Sequence, residues 1–126
     1  MADRIRVLIC DDVAMLRELM RYELEEDDDV VVVGEADNGL DGVRLVKELH
    51  PDVVLLDLAM PGIDGLEALT LMRAVPTPPV VLVHSGFDAA TMRDRVLALG
   101  AADYLEKGGN LREVRDAVRQ VVERSA

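Results

Sequence analysis

Five polar side chains each stand at the end of a short apolar run, and their types would suit chemistry on a phosphoryl group. They are Asp11, Asp12, Asp57, Ser85 and Lys107. A carboxylate can attack phosphorus as a nucleophile and form an acyl phosphate. An ammonium and a hydroxyl can neutralise and hydrogen-bond the phosphoryl oxygens, because this transfer needs mainly alignment and charge neutralisation. The set predicts a phosphoacceptor at Asp57, assisted by Lys107 and Ser85.

The three acids of this set also predict a metal ion. Two unit charges 4 Å apart interact by about 4 kcal/mol at an effective dielectric constant near 20, so Asp11, Asp12 and Asp57 would repel one another strongly at close range. A divalent cation relieves that repulsion. Mg²⁺ prefers hard oxygen ligands and uses only one or two carboxylates, whereas softer metals need Cys or His clusters that this sequence lacks.

The elements that must position these side chains alternate between strand and helix. Aliphatic or β-branched runs predict strands at Ile5–Cys10, Val30–Ala36, 53–57, 80–83 and around Tyr104 and Leu105. Apolar residues at helical spacing predict five helices, at 13–26, 40–49, 66–72, 92–99 and 111–122. Gly100 is placed to end the fourth helix, and Asn110 to begin the fifth.

Strict strand–helix alternation predicts an α/β fold with one parallel sheet and helices on both faces, since each crossover between parallel strands needs a helix and is right-handed. In such a doubly wound sheet, ligands bind at the carboxyl ends of the strands. The five polar residues therefore converge at one edge of an otherwise aliphatic sheet.

Composition limits the classes of function. The chain has 126 residues, half of them apolar, which suits a single domain spanning 1–126. With 14 basic and 25 acidic side chains the net charge is −11, so direct contact with nucleic acid or anionic lipid is not expected. One cysteine, Cys10, cannot form an intramolecular disulfide, and neither a signal peptide nor a membrane span is evident. We expect a cytoplasmic protein.

Three blocks of the sequence resemble the receiver domain of bacterial two-component response regulators. They are Val7-Leu8-Ile9-Cys10-Asp11-Asp12, the run from Pro51 to Gly65 that contains Leu56-Asp57-Leu58-Ala59-Met60-Pro61-Gly62, and Gly100-Ala101-Ala102-Asp103-Tyr104-Leu105-Glu106-Lys107. The resemblance extends from Arg6 to about Arg124, and the middle block is highly specific. It implies a five-stranded, flavodoxin-like (βα)₅ fold and a phosphorylation switch that is not itself an enzyme acting on other molecules.

The resemblance also implies roles at the acidic edge. Asp57 would accept a phosphoryl group from a histidine kinase or a histidine phosphotransfer protein. Asp12, Asp57 and the backbone carbonyl of Ala59 would bind Mg²⁺ directly, and Asp11 would act through water. Lys107 would pair with Asp57 or with its phosphate.

Two further residues would convert the local charge change into a conformational one. By the same resemblance, Ser85 would move to hydrogen-bond the phosphate, and Tyr104 would turn inward into the vacated space. The output would pass to another protein or domain, which the sequence does not identify. The domain would act as a monomer or as a phosphorylation-dependent dimer.

The sequence departs from the family pattern at one position and is distinctive at two more. Lys107 is followed by Gly108 and not by the usual proline, so we expect a trans peptide bond, because a cis bond before a non-proline residue costs about 3–4 kcal/mol. Ala59 and Phe87 lie two residues beyond Asp57 and Ser85, at positions that tune hydrolysis in the family. Since neither is polar, we expect a long-lived phosphoryl group.

Other interpretations remain open at this point. Asp11 and Asp12 could merely cap the first helix, Tyr104 could be a packed ring without a switching role, and the acidic run 25–29 is expected to be a solvated turn. His84 is expected to be structural. An aspartate-nucleophile phosphatase would usually carry a second acid where Ala59 stands, and a receiver-like module without phosphorylation would not need the complete set. Whether the domain stands alone or belongs to a longer regulator is also open.

Overall fold

Five strands form a single parallel sheet in the computed structural model, which describes residues 3–125. The strands are β1 (Ile5–Cys10), β2 (Val30–Ala36), β3 (Val53–Leu56), β4 (Val80–Ser85) and β5 (Asp103–Glu106). Their order across the sheet is β2-β1-β3-β4-β5, with every neighbouring pair parallel. The predicted flavodoxin-like doubly wound fold is therefore confirmed.

One helix follows each strand. The helices are α1 (Ala14–Glu25), α2 (Gly39–Leu49), α3 (Gly65–Arg73), α4 (Ala89–Ala98) and α5 (Leu111–Ser125). Because side chains alternate across a strand, successive residues of each buried strand face opposite layers of helices. One core packs β-strand residues such as Leu8 and Val54 against α2, α3 and α4. The other packs residues such as Ile9 and Leu55 against α1 and α5.

Side chains cap four of the five helices at their amino ends. The capping residues are Asn38, Asp64, Asp88 and Asn110, each accepting a hydrogen bond from a backbone N–H of the first turn. The predicted cap at Asn110 is confirmed. Helix α1 differs, since its N-cap position is Val13, which provides no side-chain hydrogen bond. Neither Asp11 nor Asp12 occupies that position, so capping α1 is not what these acids do.

The structure changes several of the predicted boundaries. Asp57 lies just after β3 and is not its last residue, whereas β4 continues through His84 and Ser85 because both pair in register with β5. Helical spacing also predicted more buried residues than the structure has. Leu19 and Leu40 belong to the apolar patterns of α1 and α2, but they are 50 % and 59 % exposed. An amphipathic pattern fixes a face of a helix, but the neighbouring element decides how far burial extends around it.

The acidic run 25–29 is more than the solvated turn that was expected. Glu25 accepts a hydrogen bond from the N–H of Val32, and Asp27 and Asp29 form ion pairs with Arg119 of α5. The run therefore ties the end of α1 to the last helix. Among residues 3–125, no helix combines the length and the apolar composition needed to cross a membrane.

Candidate functional site

The predicted site residues meet at the carboxyl edge of the sheet because their strands are neighbours. Asp11 and Asp12 follow β1, Asp57 follows the adjacent β3, Ser85 ends β4, and Lys107 follows β5. Backbone hydrogen bonds continue the ladder past the strand ends. The N–H of Asp57 donates to the Cys10 carbonyl at 2.9 Å, and the N–H of Lys107 donates to the Ser85 carbonyl at 2.8 Å. The loops that carry the site are thus held to the sheet.

Lys107 contacts two of the three acids. Its Nζ lies 2.8 Å from Oδ2 of Asp11 and 3.0 Å from Oδ2 of Asp57. The carboxylates are 1 % and 4 % exposed, and the lysine is 23 % exposed. Burial acts to lower the pKa of Lys107, but the hydrogen bonds that Lys107 donates to Asp11 and Asp57 outweigh it and raise the pKa. The ammonium is therefore held in its charged form between two buried carboxylates.

The acid cluster carries more negative charge than Lys107 can balance. Carboxylate oxygens of Asp11, Asp12 and Asp57 lie within 4.8 Å of one another. Three carboxylates against one ammonium leave a local charge of −2. Asp12 is the one exposed acid of the three, so a cation can reach the cluster from solvent on that side. The donor set is made only of oxygens, which fits Mg²⁺.

Asp57 itself is fixed by local hydrogen bonds. Its Oδ1 accepts the N–H of Ala59 at 3.0 Å, while its Oδ2 contacts Lys107. Ala59 is exposed directly beside the carboxylate. Gly65 packs closely against the backbone of Leu58, since a β-carbon at Gly65 would lie 2.5 Å from the Leu58 α-carbon. The loop after Asp57 thus has little freedom to move away.

Ser85 and Tyr104 lie on the same face of the adjacent strands β4 and β5, with Tyr104 in register with Val83. Only one of the two has its hydroxyl satisfied. Ser85 is fully buried, and its Oγ has no hydrogen-bond partner among residues 3–125. Tyr104 is 5 % exposed, and its hydroxyl donates to the Phe87 carbonyl. Burial raises the pKa of the Tyr104 hydroxyl. The ring of Tyr104 is therefore already inside in this structure, so an inward turn on activation would have to start from another state.

The expected trans bond after Lys107 is confirmed, since residues 3–125 contain no cis peptide bond. Gly108 adopts a φ of +109°, a backbone conformation that residues with a β-carbon rarely reach. Where the family usually has a rigid proline, this chain has a turn whose backbone conformation glycine adopts more easily than other residues. The turn still delivers Lys107 to both carboxylates.

Sequence reasoning expected His84 to be structural and did not identify Arg17 as a neighbour of the site. His84 is buried, its Nδ1 has no hydrogen-bond partner in the described part of the chain, and burial together with the charge of Lys107 lowers its pKa. Arg17 of α1 donates from Nη1 to the carbonyl of Asp11 at 2.7 Å. Arg17 and Arg21 stand four residues apart on one face of α1, and this spacing could have indicated a shared acidic partner.

Comparisons with known proteins agree with this architecture. The family model for the response regulator receiver domain matches residues 7–119. The chain is 41 % identical over 116 residues to the transcriptional regulatory protein LiaR of Bacillus subtilis, covering 91 % of this chain and 54 % of LiaR. It is 42 % identical over 118 residues to the response regulator GacA of Pseudomonas aeruginosa, covering 93 % of this chain and 55 % of GacA. The chain thus spans about half the length of these curated relatives.

A solved structure extends the similarity to three dimensions. The signal receiver domain of the response regulator NarL from Mycobacterium tuberculosis superimposes with a TM-score of 0.90 at 35 % identity, covering 97 % of this chain and 98 % of that domain. Relatives named as response or transcription regulators predominate among the curated matches. The sequence blocks, the sheet order and the family match lead to the same answer: this chain belongs to the response regulator receiver domain family.

Proposed function

We propose that the chain is a phosphorylation-dependent signalling switch in which Asp57 accepts a phosphoryl group from a histidine kinase or a histidine phosphotransfer protein. The observation that carries the proposal is the contact of Lys107 with two buried carboxylates, one of which is Asp57, beside the exposed Asp12. Such an arrangement of unbalanced charge has no evident structural use. Membership of the receiver family supports the same role.

The transfer itself needs a nucleophile, positive charge and alignment. A carboxylate oxygen of Asp57 forms a bond to phosphorus as the bond from phosphorus to the donor imidazole nitrogen breaks; that nitrogen keeps the electron pair and takes a proton from solvent. Lys107, which contacts Oδ2 of Asp57, neutralises negative charge on the phosphoryl oxygens. Oδ1 is oriented by the N–H of Ala59, so the carboxylate enters the reaction in a fixed pose.

Asp12 and Asp57, with the backbone carbonyl of Ala59, would hold Mg²⁺ directly, and Asp11 would hold it through water. The ion supplies positive charge for the phosphoryl oxygens when it is bound. Asp11 is buried, its Oδ1 accepts the N–H of Val13 at 2.9 Å, and its Oδ2 forms an ion pair with Lys107. Burial and these contacts favour an indirect role for Asp11, whereas the exposed Asp12 is open to a direct one.

The switch would start at Ser85. Its buried Oγ has no hydrogen-bond partner in the described part of the chain and could donate to a phosphoryl oxygen on Asp57, which would relieve an unsatisfied polar group. A movement of Ser85 would reach Tyr104, which lies on the same face of the adjacent strand opposite Val83, and Tyr104 donates to the Phe87 carbonyl in the β4–α4 loop. The loop would therefore change with phosphorylation and carry the output to a partner protein or domain, with or without dimerisation.

The central test is mass spectrometry after incubation with acetyl phosphate and Mg²⁺. The wild-type protein should gain one phosphoryl group, and Asp57→Asn should gain none. Asp28→Asn is the matched control, because Asp28 is an exposed acid far from the site in sequence, and it should be labelled like the wild type. Labelling that persists in Asp57→Asn would refute the assignment of the acceptor.

A second experiment separates labelling from the response. Lys107→Ala should uncouple phosphorylation from the conformational change, because the ammonium joins Asp57 to the end of β5. Lys47→Ala, at the exposed lysine of α2, is the control. The amide NMR spectrum of residues 85–89 before and after phosphorylation measures the response, and an unchanged response in Lys107→Ala would contradict the proposed coupling.

The lifetime of the phosphoryl group is a further part of the proposal. Phe87 is 50 % exposed and Ala59 is exposed, so both flank the site without offering a polar group to orient an attacking water. Slow hydrolysis is the expected outcome, measured as the dephosphorylation rate of the purified protein. Loss of the label within seconds would contradict it.

The surroundings of the switch follow from charge and composition. We propose that residues 1–126 act as one receiver domain in the cytoplasm, without direct contact to nucleic acid, because the net charge of −11 repels phosphate backbones.

A further inference from the structure

Arg17 reaches from α1 to the backbone of the acid pocket. Its Nη1 donates to the carbonyl oxygen of Asp11 at 2.7 Å, and its Nε donates to Oε1 of Glu35 at 3.0 Å. The side chain is 18 % exposed. One guanidinium therefore joins α1, the end of β2 and the loop after β1.

The carbonyl of Asp11 belongs to the peptide that leads into Asp12. The other contacts of Asp11 hold the preceding peptide and the side chain: its N–H donates to the Ala36 carbonyl at 3.0 Å, and Oδ1 accepts the N–H of Val13. Among residues 3–125, the contact from Arg17 is the hydrogen bond made by the Asp11–Asp12 peptide itself, so it fixes the plane of that peptide. A rotation of that plane would redirect the carboxylate of Asp12.

Arg21 offers a natural comparison on the same helix face. Its Nε donates to Oε2 of Glu35 at 2.9 Å, so both arginines share one carboxylate. The other hydrogen bond of Arg21 goes to the carbonyl of Val32, away from the pocket. The two arginines therefore differ in whether they hold the Asp11 carbonyl, while their charge and their shared partner are alike.

We propose that Arg17 is a positioning residue that orients the Asp11–Asp12 peptide and thereby sets the Mg²⁺ affinity of the acid pocket. The proposal rests on the proposed function in that it takes Asp12 as a metal ligand. Arg17 acts only through the backbone, since its guanidinium binds the carbonyl of Asp11 and not the carboxylates that would meet the ion. Glu35 holds the guanidinium in the orientation that this requires.

Positioning and simple electrostatics predict opposite results. Removal of a positive charge near three carboxylates should by itself strengthen the binding of a cation. Removal of a group that orients a ligand should weaken it, and residues that support metal ligands typically change metal affinity by about tenfold or more. The sign of the change therefore identifies which role Arg17 has.

The experiment compares Mg²⁺ dissociation constants by isothermal titration calorimetry at fixed ionic strength. Arg17→Met keeps much of the aliphatic stem and should bind Mg²⁺ about tenfold more weakly than the wild type. Arg21→Met is the matched control, and its affinity should be equal to that of the wild type or slightly higher. Arg17→Lys should fall between Arg17→Met and the wild type, because an ammonium cannot hold both acceptors in the fork geometry.

A second readout needs no metal at all. The amide N–H of Asp12 lies in the peptide that Arg17 holds, so in Mg²⁺-free protein its NMR resonance should shift in Arg17→Met and stay in place in Arg21→Met. Far-UV circular dichroism checks that each variant is folded, and Glu35→Gln, which weakens the hold on the guanidinium, replaces Arg17→Met if that variant does not fold.

The outcomes separate this inference from the proposed function. Unchanged or tighter Mg²⁺ binding in Arg17→Met, with an unshifted Asp12 resonance, overturns the positioning role while leaving the phosphoacceptor proposal intact. A wild-type protein that binds no Mg²⁺ overturns both. Weaker binding in Arg17→Met and in Arg21→Met alike would assign the effect to α1 as a whole and would also overturn the specific role of Arg17.

Discussion

The two edges of the sheet handle their polar groups in opposite ways. At the amino edge, Asp52 accepts the N–H of Arg6 at 2.8 Å, and Nη1 of Arg6 donates to the His50 carbonyl at 2.7 Å. At the carboxyl edge, three acids face one lysine, and the buried Oγ of Ser85 has no partner among residues 3–125. The polar groups named at the amino edge are satisfied by hydrogen bonds within the protein. At the carboxyl edge, negative charge and one hydroxyl remain available to a ligand.

Cavity volume would suggest the opposite edge of the sheet as the functional site. Hollows of about 420 Å³ and 560 Å³ lie at the amino edge, where His50 and Thr77 line both of them. Because the acids and Lys107 lie at the opposite edge, unbalanced charge locates the candidate chemistry here better than cavity volume does.

The sharpest difference between the edges concerns Lys107. Lys107→Met should lower the free energy of unfolding by about 3 kcal/mol without Mg²⁺, because it leaves two buried carboxylates uncompensated. Arg6→Met at the amino edge should cost about 1 kcal/mol, the value of one hydrogen bond. Urea unfolding measures both, and equal losses would remove the distinction between the edges.

The pH dependence of that same pair has a definite sign. The folded-state pKa of Lys107 is raised above the ordinary value of 10.5, so its contribution is fully present below that value and is lost as the pH rises through the higher folded-state pKa. On the alkaline side, the stability difference between wild type and Lys107→Met should therefore be constant from neutral pH to about pH 10 and shrink above it. Unfolding curves at several alkaline pH values test this.

A smaller effect is expected where the carboxyl edge is packed tightly. Gly65→Ala should destabilise the protein by about 2 kcal/mol, because the new β-carbon would meet the Leu58 backbone at 2.5–2.9 Å. It should also weaken Mg²⁺ binding, since Leu58 directly follows Asp57. Gly86→Ala is the control, as nothing lies within 4 Å of its β-carbon position. A Gly65→Ala variant as stable as the wild type would mean that the loop containing Leu58 can shift at little energetic cost.

The Mg²⁺ affinity of two variants compares one acid from each edge of the sheet. Asp12→Asn should weaken Mg²⁺ binding at least about tenfold, equivalent to about 1.4 kcal/mol, because it removes a proposed direct ligand. Asp52→Asn should leave the affinity unchanged, since Asp52 is engaged with the backbone of Arg6 at the opposite edge. Calorimetric titration measures both, and similar affinities in the two variants would speak against a metal site among the three acids.

The smallest predicted effect concerns a hydroxyl that already has a partner. Tyr104→Phe removes the hydrogen bond to the Phe87 carbonyl and should cost about 1 kcal/mol in unfolding free energy. Tyr22→Phe, at a ring that is 73 % exposed, should cost almost nothing. Thermal and urea unfolding distinguish the two variants. A Tyr104→Phe variant as stable as the wild type would show that this hydrogen bond does not contribute to the free energy of unfolding.

Much of the fold could be predicted because its rules are local. The aliphatic run that forms β1 and the helical spacing of Val114, Val118 and Val121 in α5 each indicate an element within a few residues of chain. The polar residues at the strand ends then predicted the site, since parallel strands bring their carboxyl ends to one edge of the sheet. The end of β4 was less predictable, because His84 and Ser85 become strand only through pairing with β5.

The sequence by itself determined the alternation of strands and helices, the parallel sheet and the residues that gather at its carboxyl edge, because side-chain periodicity is written along the chain. Only the tertiary structure decided that Lys107 contacts Asp11 as well as Asp57, that the ring of Tyr104 is already inside, and that Arg17 holds the backbone of the acid pocket. These contacts depend on the register and distance between elements that are remote in sequence. Differences of an ångström decide whether such groups bond, and periodicity does not resolve them.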